Sequence, residues 1–367
     1  MSAVRVLHVL GSLNLGGAES RIMDLYRCIN KEELQFDFLI HSNENQHFEN
    51  EILNLGGKVY RVPRFRVNNW FSYHKALKQF FYNHQEFRAV HGHMTSTASI
   101  YLPIAKKAGV PITIAHVRSA GVDHGLKGIV TKLLRLSLKY KADYCLACSK
   151  EAGIAAYGKN WVNKGKVEVV PNAIDAEKYL YNQDDRTVYR EKLGIADKFV
   201  IGHVGSFRAA KNHKFLIQIF SQIYKHRKDA VLLLVGDGEL MYDIKKQVEE
   251  YELTDVVHFL GNQDKVSPFY QAMDYLVFPS LYEGLPGTVV EAQVSGLPCL
   301  VSANITKEVG VTDLVTFYSL DKSADEWADY VIMHQAYLRT DRIAQIREAG
   351  FDIGSQIVRY KKIYEVK

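Results

Sequence analysis

Short, unbroken runs of β-branched and large apolar residues recur along this chain, most of them followed by a turn and a helical pattern. Leu232-Leu233-Leu234-Val235 is the clearest, and Val4–Leu10, apolar apart from Arg5 and His8, is the first to approach one. A strand with one face in water alternates apolar with polar residues. An unbroken run instead marks a strand covered on both faces, as in a parallel sheet with helices on each side. Further strands are predicted at Phe36–His41, Lys58–Val62, Ala89–Gly92, Ile112–His116, Asp143–Cys148 and Val167–Val170, with helical patterns near 18–30, 96–108 and 127–140. The rhythm restarts at Phe199–Val204 and continues through Val231–Val235, Val256–Leu260, Tyr275–Phe278 and Cys299–Ser302. Units of this kind wind into parallel sheets by right-handed crossovers, and ligands bind at the carboxyl ends of the strands.

Two such runs, broken at Pro171-Asn172-Ala173, predict an α/β protein of two Rossmann-like, doubly wound domains facing each other across a cleft. The domains are expected at residues 1–172 and 173–353, with a helix over about 354–367 packing back on the first. The charge balance changes at the same break. Residues 1–172 hold 23 Lys+Arg against 13 Asp+Glu, a net of +10, and residues 173–367 hold 23 against 28, a net of −5. A basic first domain calls for an anionic partner. No nucleic-acid motif is present, so a phospholipid surface or a pyrophosphate-linked acceptor is the expected partner. No secretory signal precedes Val4–Leu10, and no apolar run approaches the roughly 18 residues that span a bilayer. A cytoplasmic protein, at most peripheral on the inner face of a membrane, is therefore expected.

Of the four cysteines, Cys145 and Cys148 form a C-x-x-C. Zinc takes four ligands and no second pair exists, so two small buried strand residues are the expectation.

Three glycine turns leave strands and enter helices: Gly11 to Gly17, Gly202 to Arg208, and Gly236-Asp237-Gly238. Such turns let backbone N–H groups and a helix N-terminus approach a phosphate. The first lacks the G-x-G-x-x-G spacing of a dinucleotide fold, and His41-Ser42 rather than an acid follows the second strand, which argues against NAD. In the second turn, Arg208 and Lys211 stand near the positive end of a helix, which is unfavourable unless they face an anion. The most specific element is Phe278-Pro279-Ser280-Leu281-Tyr282-Glu283-Gly284-Leu285-Pro286-Gly287, with Glu291 following. It sets one carboxylate in a turn and a second in the helix after it, and paired acids bind sugar hydroxyls as charge-assisted acceptors. A basic amphipathic segment, Gly125–Lys141, and the arginine-aromatic stretch from Arg61 to Phe71 are candidates for lipid or acceptor contact. Packing of the first on the sheet is its alternative. His91 and His93 alternate on a strand, and either acceptor binding or strand-end packing accounts for them.

Taken in order, Gly16-Gly17-Ala18-Glu19, His91-Gly92-His93, Ile114-Ala115-His116, Ala147-Cys148-Ser149, Val170-Pro171-Asn172-Ala173-Ile174-Asp175, Lys211-Asn212 and the Glu283-x7-Glu291 element resemble the GT-B glycosyltransferases of family 4, especially bacterial exopolysaccharide and capsule members. The resemblance covers nearly the whole chain. It implies a retaining, metal-independent enzyme with no cofactor, which moves a sugar from a nucleoside-diphosphate sugar to a glycan or lipid-diphosphate-linked acceptor. UDP is the expected nucleotide, with GDP open. It further implies that Gly16, Gly17 and Gly205 lie at the donor diphosphate and that Lys211 pairs with it. Glu283 and the backbone of Gly284, Leu285 and Pro286 would meet the transferred sugar, Glu291 the ribose, and His116 the sugar and acceptor. Many members carry an arginine where this chain has Ser206, and Arg208 is the candidate substitute. A UDP-sugar epimerase or hydrolase of the same architecture and a non-catalytic nucleotide-sugar-binding partner subunit stay open at this point.

Overall fold

The computed structural model describes residues 3–14, 16–118, 134–135, 137–335 and 337–366. The chain divides into two compact units, Met1–Ile174 with Asp352–Lys367, and Asp175–Phe351.

In unit 1 the strands are β1 (Val4–Leu10), β2 (Leu34–Ile40), β3 (Val59–Arg61), β4 (Phe87–Gly92), β5 (Ile112–Val117), β6 (Tyr144–Ala147) and β7 (Glu168–Val169). They form a parallel sheet in the order β3-β2-β1-β4-β5-β6-β7. Alternate residues of β1 enter different cores: Leu7 and Val9 pack with Leu77 and Tyr101, and Val6 and Leu10 pack with Ile22 and Tyr26. That double coverage is why apolar residues stand on both faces of the strand. Each fully buried aliphatic side chain stabilises the sheet by about 1.5–3 kcal/mol.

The last helix, Ile353–Ile363, belongs to this unit. Its Ile353, Tyr360 and Ile363, with Tyr364 just beyond, join the core beneath Phe36 and Phe38. Asp352 caps it by accepting from the Ser355 N–H, the Ile353 N–H donates to the Ile174 carbonyl, and Gln356 donates to the Pro171 carbonyl. Ion pairs of Arg359 with Glu168 and Lys361 with Glu33 fix its outer face.

Unit 2 repeats the plan with β8 (Phe199–Val204), β9 (Ala230–Val235), β10 (Val257–Gly261), β11 (Tyr275–Phe278), β12 (Cys299–Ser302) and β13 (Val315–Tyr318). Their order is β10-β9-β8-β11-β12-β13. The last strand was not among the sequence expectations: it is a four-residue edge strand, half-buried throughout, so it shows no buried apolar run. Below the sheet, three arginines satisfy carbonyls at and beyond the last turn of helix Ser267–Ala272. Arg186 donates to the Gln271 and Met273 carbonyls at 2.9 Å, Arg190 to Ala272 at 2.9 Å and Arg339 to Tyr270 at 2.9 Å. Terminal carbonyls of a helix have no partner inside it and attract cations.

Cys145 and Cys148 are buried, and burial pushes the Cys145 thiol up to about 11, so it stays protonated and unreactive at neutral pH. Most of the amphipathic segment Gly125–Lys141 lies outside the described residues. Among those described, no helix is long and apolar enough to cross a membrane.

Candidate functional site

The polar residues of unit 2 gather on the loops that leave the carboxyl ends of β8, β9 and β11. After β8 the chain runs through Gly205 and Arg208 into a single turn of 3-10 helix, Ala209–Lys211, and then into helix His213–His226. Asn212, at φ 57°, makes the sharp join between the two, a left-handed conformation that asparagine tolerates. Its side chain donates to the Pro279 carbonyl at 3.1 Å, and the Leu281 N–H donates to the Ala210 carbonyl at 2.8 Å. The loop after β8 is thus tied to the loop after β11.

Across that tie Lys211 Nζ sits 2.7 Å from Glu283 Oε1, with both side chains 16% exposed. The ammonium also lies 4.8 Å from the Phe278 ring centroid. Sequence reasoning required an anion opposite the cation at this helix start, and without ligand that anion is the chain's own Glu283. Arg208 is exposed and meets no carboxylate among the described residues.

Gly284, Leu285 and Pro286 lead into helix Gly287–Val294, with Pro286 as its N-cap. A Cβ at Gly284 would meet nothing within 4 Å, so its backbone borders open space. Glu291, two turns into the helix axis at most, is 3% exposed and accepts from the Tyr270 hydroxyl at 2.8 Å. The glycines after β9 have a structural cause. A Cβ on Gly236 would stand 2.2 Å from the Gly205 carbonyl oxygen, and one on Gly238 2.7 Å from that of Phe207. Those two glycines let the β8 and β9 loops touch.

Unit 1 presents different chemistry. Gly16 is the N-cap of helix Gly17–Cys28, and a Cβ on Gly17 would meet nothing within 4 Å. Beside this turn, the ends of β1, β4 and β5 hold four histidines with stacked or tilted rings. His8 and His91 are register partners on adjacent strands. His8 Nδ1 lies 3.0 Å from His93 Nε2, and His91 Nε2 lies 3.0 Å from His116 Nδ1. His91 Nδ1 meets the Tyr364 hydroxyl at 2.6 Å, and Arg118 donates to His93 Nδ1 at 3.3 Å. Burial, reinforced by Arg118, lowers His8 to about 3. Burial likewise holds His91, His93 and His116 well below the usual imidazole range. All four are neutral at pH 7.

His91 and His116 are both fully buried, and this geometry changes the acceptor-side expectation for His91, whose two ring nitrogens are engaged inside the fold, whereas His116 Nε2 is left without a partner among the described residues. His93 is partly exposed. His8, Arg118 and Tyr364 were missed from sequence. The available signal for His8 was a polar residue in the middle of the apolar stretch Val6–Leu10.

One ring nitrogen each of His8, His91 and His93 falls within 4.8 Å of the other two, close enough for a metal cage. The hydrogen bonding opposes a cation. Arg118 takes the lone pair of His93 Nδ1, so the other His93 nitrogen carries the proton, both His91 nitrogens are occupied, and a guanidinium stands at the rim.

Comparison with known proteins fits both units. The model for glycosyl transferases group 1 matches residues 185–334, and that for glycosyltransferase family 4 matches residues 15–178. EpsF of Bacillus subtilis, assigned as a glycosyltransferase, is 32% identical over 373 residues, covering 100% of this chain and 97% of that protein. A UDP-Gal:α-D-GlcNAc-diphosphoundecaprenol α-1,3-galactosyltransferase of Escherichia coli is 28% identical over 322 residues, covering 82% of this chain and 80% of its own. Among solved structures, HepE of Anabaena in complex with UDP and glucose superposes with a TM-score of 0.76 at 18% identity, over 98% of this chain and 99% of that one. The fold is therefore GT-B, and the chain belongs to the family 4 glycosyltransferases, enzymes that transfer sugars.

Proposed function

We propose that this enzyme moves a sugar from a UDP-sugar to a lipid-diphosphate-linked glycan in exopolysaccharide or capsule assembly, with retention of configuration and without a metal. The observation that carries the reading is the Lys211–Glu283 pair on two mutually tied loops at the carboxyl end of the unit 2 sheet. Support for the nucleotide and the acceptor comes from the UDP in HepE and the diphosphoundecaprenol in the name of the Escherichia coli relative.

In this reading residues 173–353 bind the donor and residues 1–172 the acceptor. The donor diphosphate displaces Glu283 from Lys211, and the freed carboxylate accepts from hydroxyls of the transferred sugar. The Gly284–Pro286 backbone meets that sugar, and Glu291 holds the ribose. Gly205, with Gly16 and Gly17 from the first domain, lets backbone N–H groups reach the phosphates. Charge grows on the leaving diphosphate as the C1–O bond breaks, and Lys211, Arg208 and nearby helix N-termini are fixed donors for it. The acceptor oxygen forms the new bond to C1 on the same face, and its proton passes to the departing phosphate oxygen. His116 faces the sugar and acceptor.

The acceptor side has a second feature. The groove between helices Trp70–Asn83 and Thr95–Lys107 has a volume of about 630 Å³ and is lined by Lys75, Lys78, Lys107 and Lys141. Phe71 and Tyr82 nearby are 87% and 78% exposed. Basic residues with exposed aromatics suit an anionic leaflet, where a lipid-linked acceptor resides. Flotation with anionic but not zwitterionic liposomes is expected, and equal partition with both would remove the membrane from the proposal.

The decisive assay is nucleotide release from a panel of UDP- and GDP-sugars, with and without a lipid-linked acceptor extract. Acceptor-dependent UDP release from one donor is expected. Release that ignores the acceptor, with free sugar as product, would make the enzyme a hydrolase.

A further inference from the structure

Within unit 1, the Tyr364 hydroxyl is fully buried, and its one hydrogen-bond partner among the described residues is His91 Nδ1, at 2.6 Å. A phenol has a single proton, and burial keeps this one in place. The proton therefore has one place to go, the lone pair of His91 Nδ1. A neutral imidazole that accepts at one nitrogen donates at the other. His91 Nε2–H then donates across 3.0 Å to His116 Nδ1, and the His116 proton is left on Nε2. That atom is buried and has no hydrogen-bond partner.

A parallel chain runs beside the first with the same polarity. Arg118 can only donate, so His93 Nδ1 accepts from it, His93 Nε2–H donates to His8 Nδ1, and His8 Nε2 carries the last proton, again unpartnered. Two hydrogen-bonded files thus each begin at a fixed donor and end in an imidazole N–H.

We propose that Tyr364, acting through His91, is a positioning residue that fixes His116 as the Nε2–H tautomer, so that His116 serves the transfer as a hydrogen-bond donor to a sugar oxygen and not as the base for the acceptor hydroxyl. This rests on the reading that His116 faces the sugar. It assigns the last helix a part in catalysis: Tyr364 reaches the site because helix Ile353–Ile363 packs under β1 and β4, on a chain that returns from unit 2. The balance of the reaction agrees with it. The acceptor proton leaves on the diphosphate oxygen, so no protein base is needed, and a donor at Nε2 orients the sugar through a hydrogen bond to one of its hydroxyl oxygens.

The test is a histidine-selective nitrogen NMR spectrum of the whole enzyme, free and with UDP added, in which the His116 signal is identified by its loss in His116→Ala. The expected result is a neutral ring protonated at Nε2 from pH 6 to pH 8. A neutral ring protonated at Nδ1, or a ring that titrates near pH 6.5, would overturn the proposal without reference to any variant of Tyr364. The kinetic arm uses Tyr364→Phe with the donor that turns over. A fall in kcat of about 10-fold is expected, with KM for the donor and UDP affinity within twofold, and with the Nε2 preference of His116 weakened in the spectrum. Unchanged kcat and an unchanged spectrum would show that Tyr364 only packs. Full turnover by His116→Ala would instead sink the sugar-facing reading and leave the tautomer assignment to the spectrum.

Discussion

The two units wind their strands in the same order about a central strand, yet they bury different polar chemistry at the carboxyl ends of those strands. Unit 1 holds neutral imidazoles that satisfy one another in pairs, and unit 2 holds a lysine against a glutamate. A neutral pair costs little to bury but is lost when protons are supplied. An ion pair is costly to desolvate, tolerates mild acid, and is open to exchange by a competing anion. The contrast teaches that equal topology sets where polar groups collect, and the residue types set which variable each unit responds to.

Acid should separate the two most widely. Each buried neutral histidine has a folded pKa below its unfolded value of about 6.5, so the unfolded chain binds more protons below that pH. The stability such a group contributes is present above pH 6.5 and is lost as pH falls towards the folded pKa, at up to about 1.4 kcal/mol per pH unit. Unit 1 has four in one cluster, and unit 2 has His203 and His213, the latter lowered to about 4 by burial. His41 in unit 1 and His258 in unit 2 are also lowered, one on each side. Unit 1 should lose about 3 kcal/mol more than unit 2 for each pH unit below 6.5. Hydrogen exchange read by unit at pH 7 and pH 5.5 checks this, as does the fluorescence of Trp327 in a Trp-to-Phe background that lacks Trp70 and Trp161. Simultaneous opening of both units at pH 5.5 would erase the distinction.

The next test strikes the charged unit. Lys211→Ala should lower turnover by roughly 10²–10³-fold, the usual loss for removing one donor to a developing negative charge. The variant should keep its melting temperature within a few degrees, since Glu283 is 16% exposed and can take up water. Near-normal kcat would make the pair a structural brace and leave unit 2 without its proposed chemistry.

Smaller again is the effect expected at Glu291. Loss of a hydrogen bond to a charged group costs about 1.5–3 kcal/mol, so Glu291→Gln should weaken UDP binding by roughly 10- to 100-fold. Because Glu291 also accepts from the buried Tyr270 hydroxyl, Tyr270→Phe is the control. Calorimetry should show weak UDP binding in the first variant and near-normal binding in the second. If both weaken equally, Glu291 acts by holding Tyr270.

How much of this was readable beforehand follows from the same contrast. Runs dominated by apolar residues located β1, β8 and β9, and β9 is apolar throughout because both its faces are covered. β13 escaped because a half-buried edge strand carries no such run. Lys211 and Glu283 were found by residue type and motif, but that they pair without ligand depends on the tie between the β8 and β11 loops, which no spacing encodes. From sequence the glycine turn after β9 was open to a phosphate contact or a purely structural turn, and the approach of the Gly205 and Phe207 backbones gives Gly236 and Gly238 a structural cause. In unit 1 His116 and His91 were both named, but their pairing and the part of Tyr364 were not. His91 is 25 residues away and Tyr364 a further 273 from His91, and only the return of the last helix brings them together.

The smallest expected effect is the most discriminating for the charged loop. Arg208 is exposed and has no carboxylate partner among the described residues, whereas Lys211 is mostly buried and paired. An exposed cation acts through water and is screened by salt over a Debye length of about 8–10 Å, while a desolvated one is not. Arg208→Ala should therefore cost about 10-fold or less in turnover at low salt, or roughly 1.4 kcal/mol, and the loss should shrink as ionic strength rises. The Lys211→Ala defect should stay constant over the same salt series. If Arg208→Ala instead matches Lys211→Ala at every salt concentration, then Arg208 closes onto the diphosphate in the bound state and replaces the arginine absent at Ser206. In that case the loop after β8 contributes two desolvated cations, and the charge contrast with the neutral histidines of unit 1 is wider than the ligand-free fold displays.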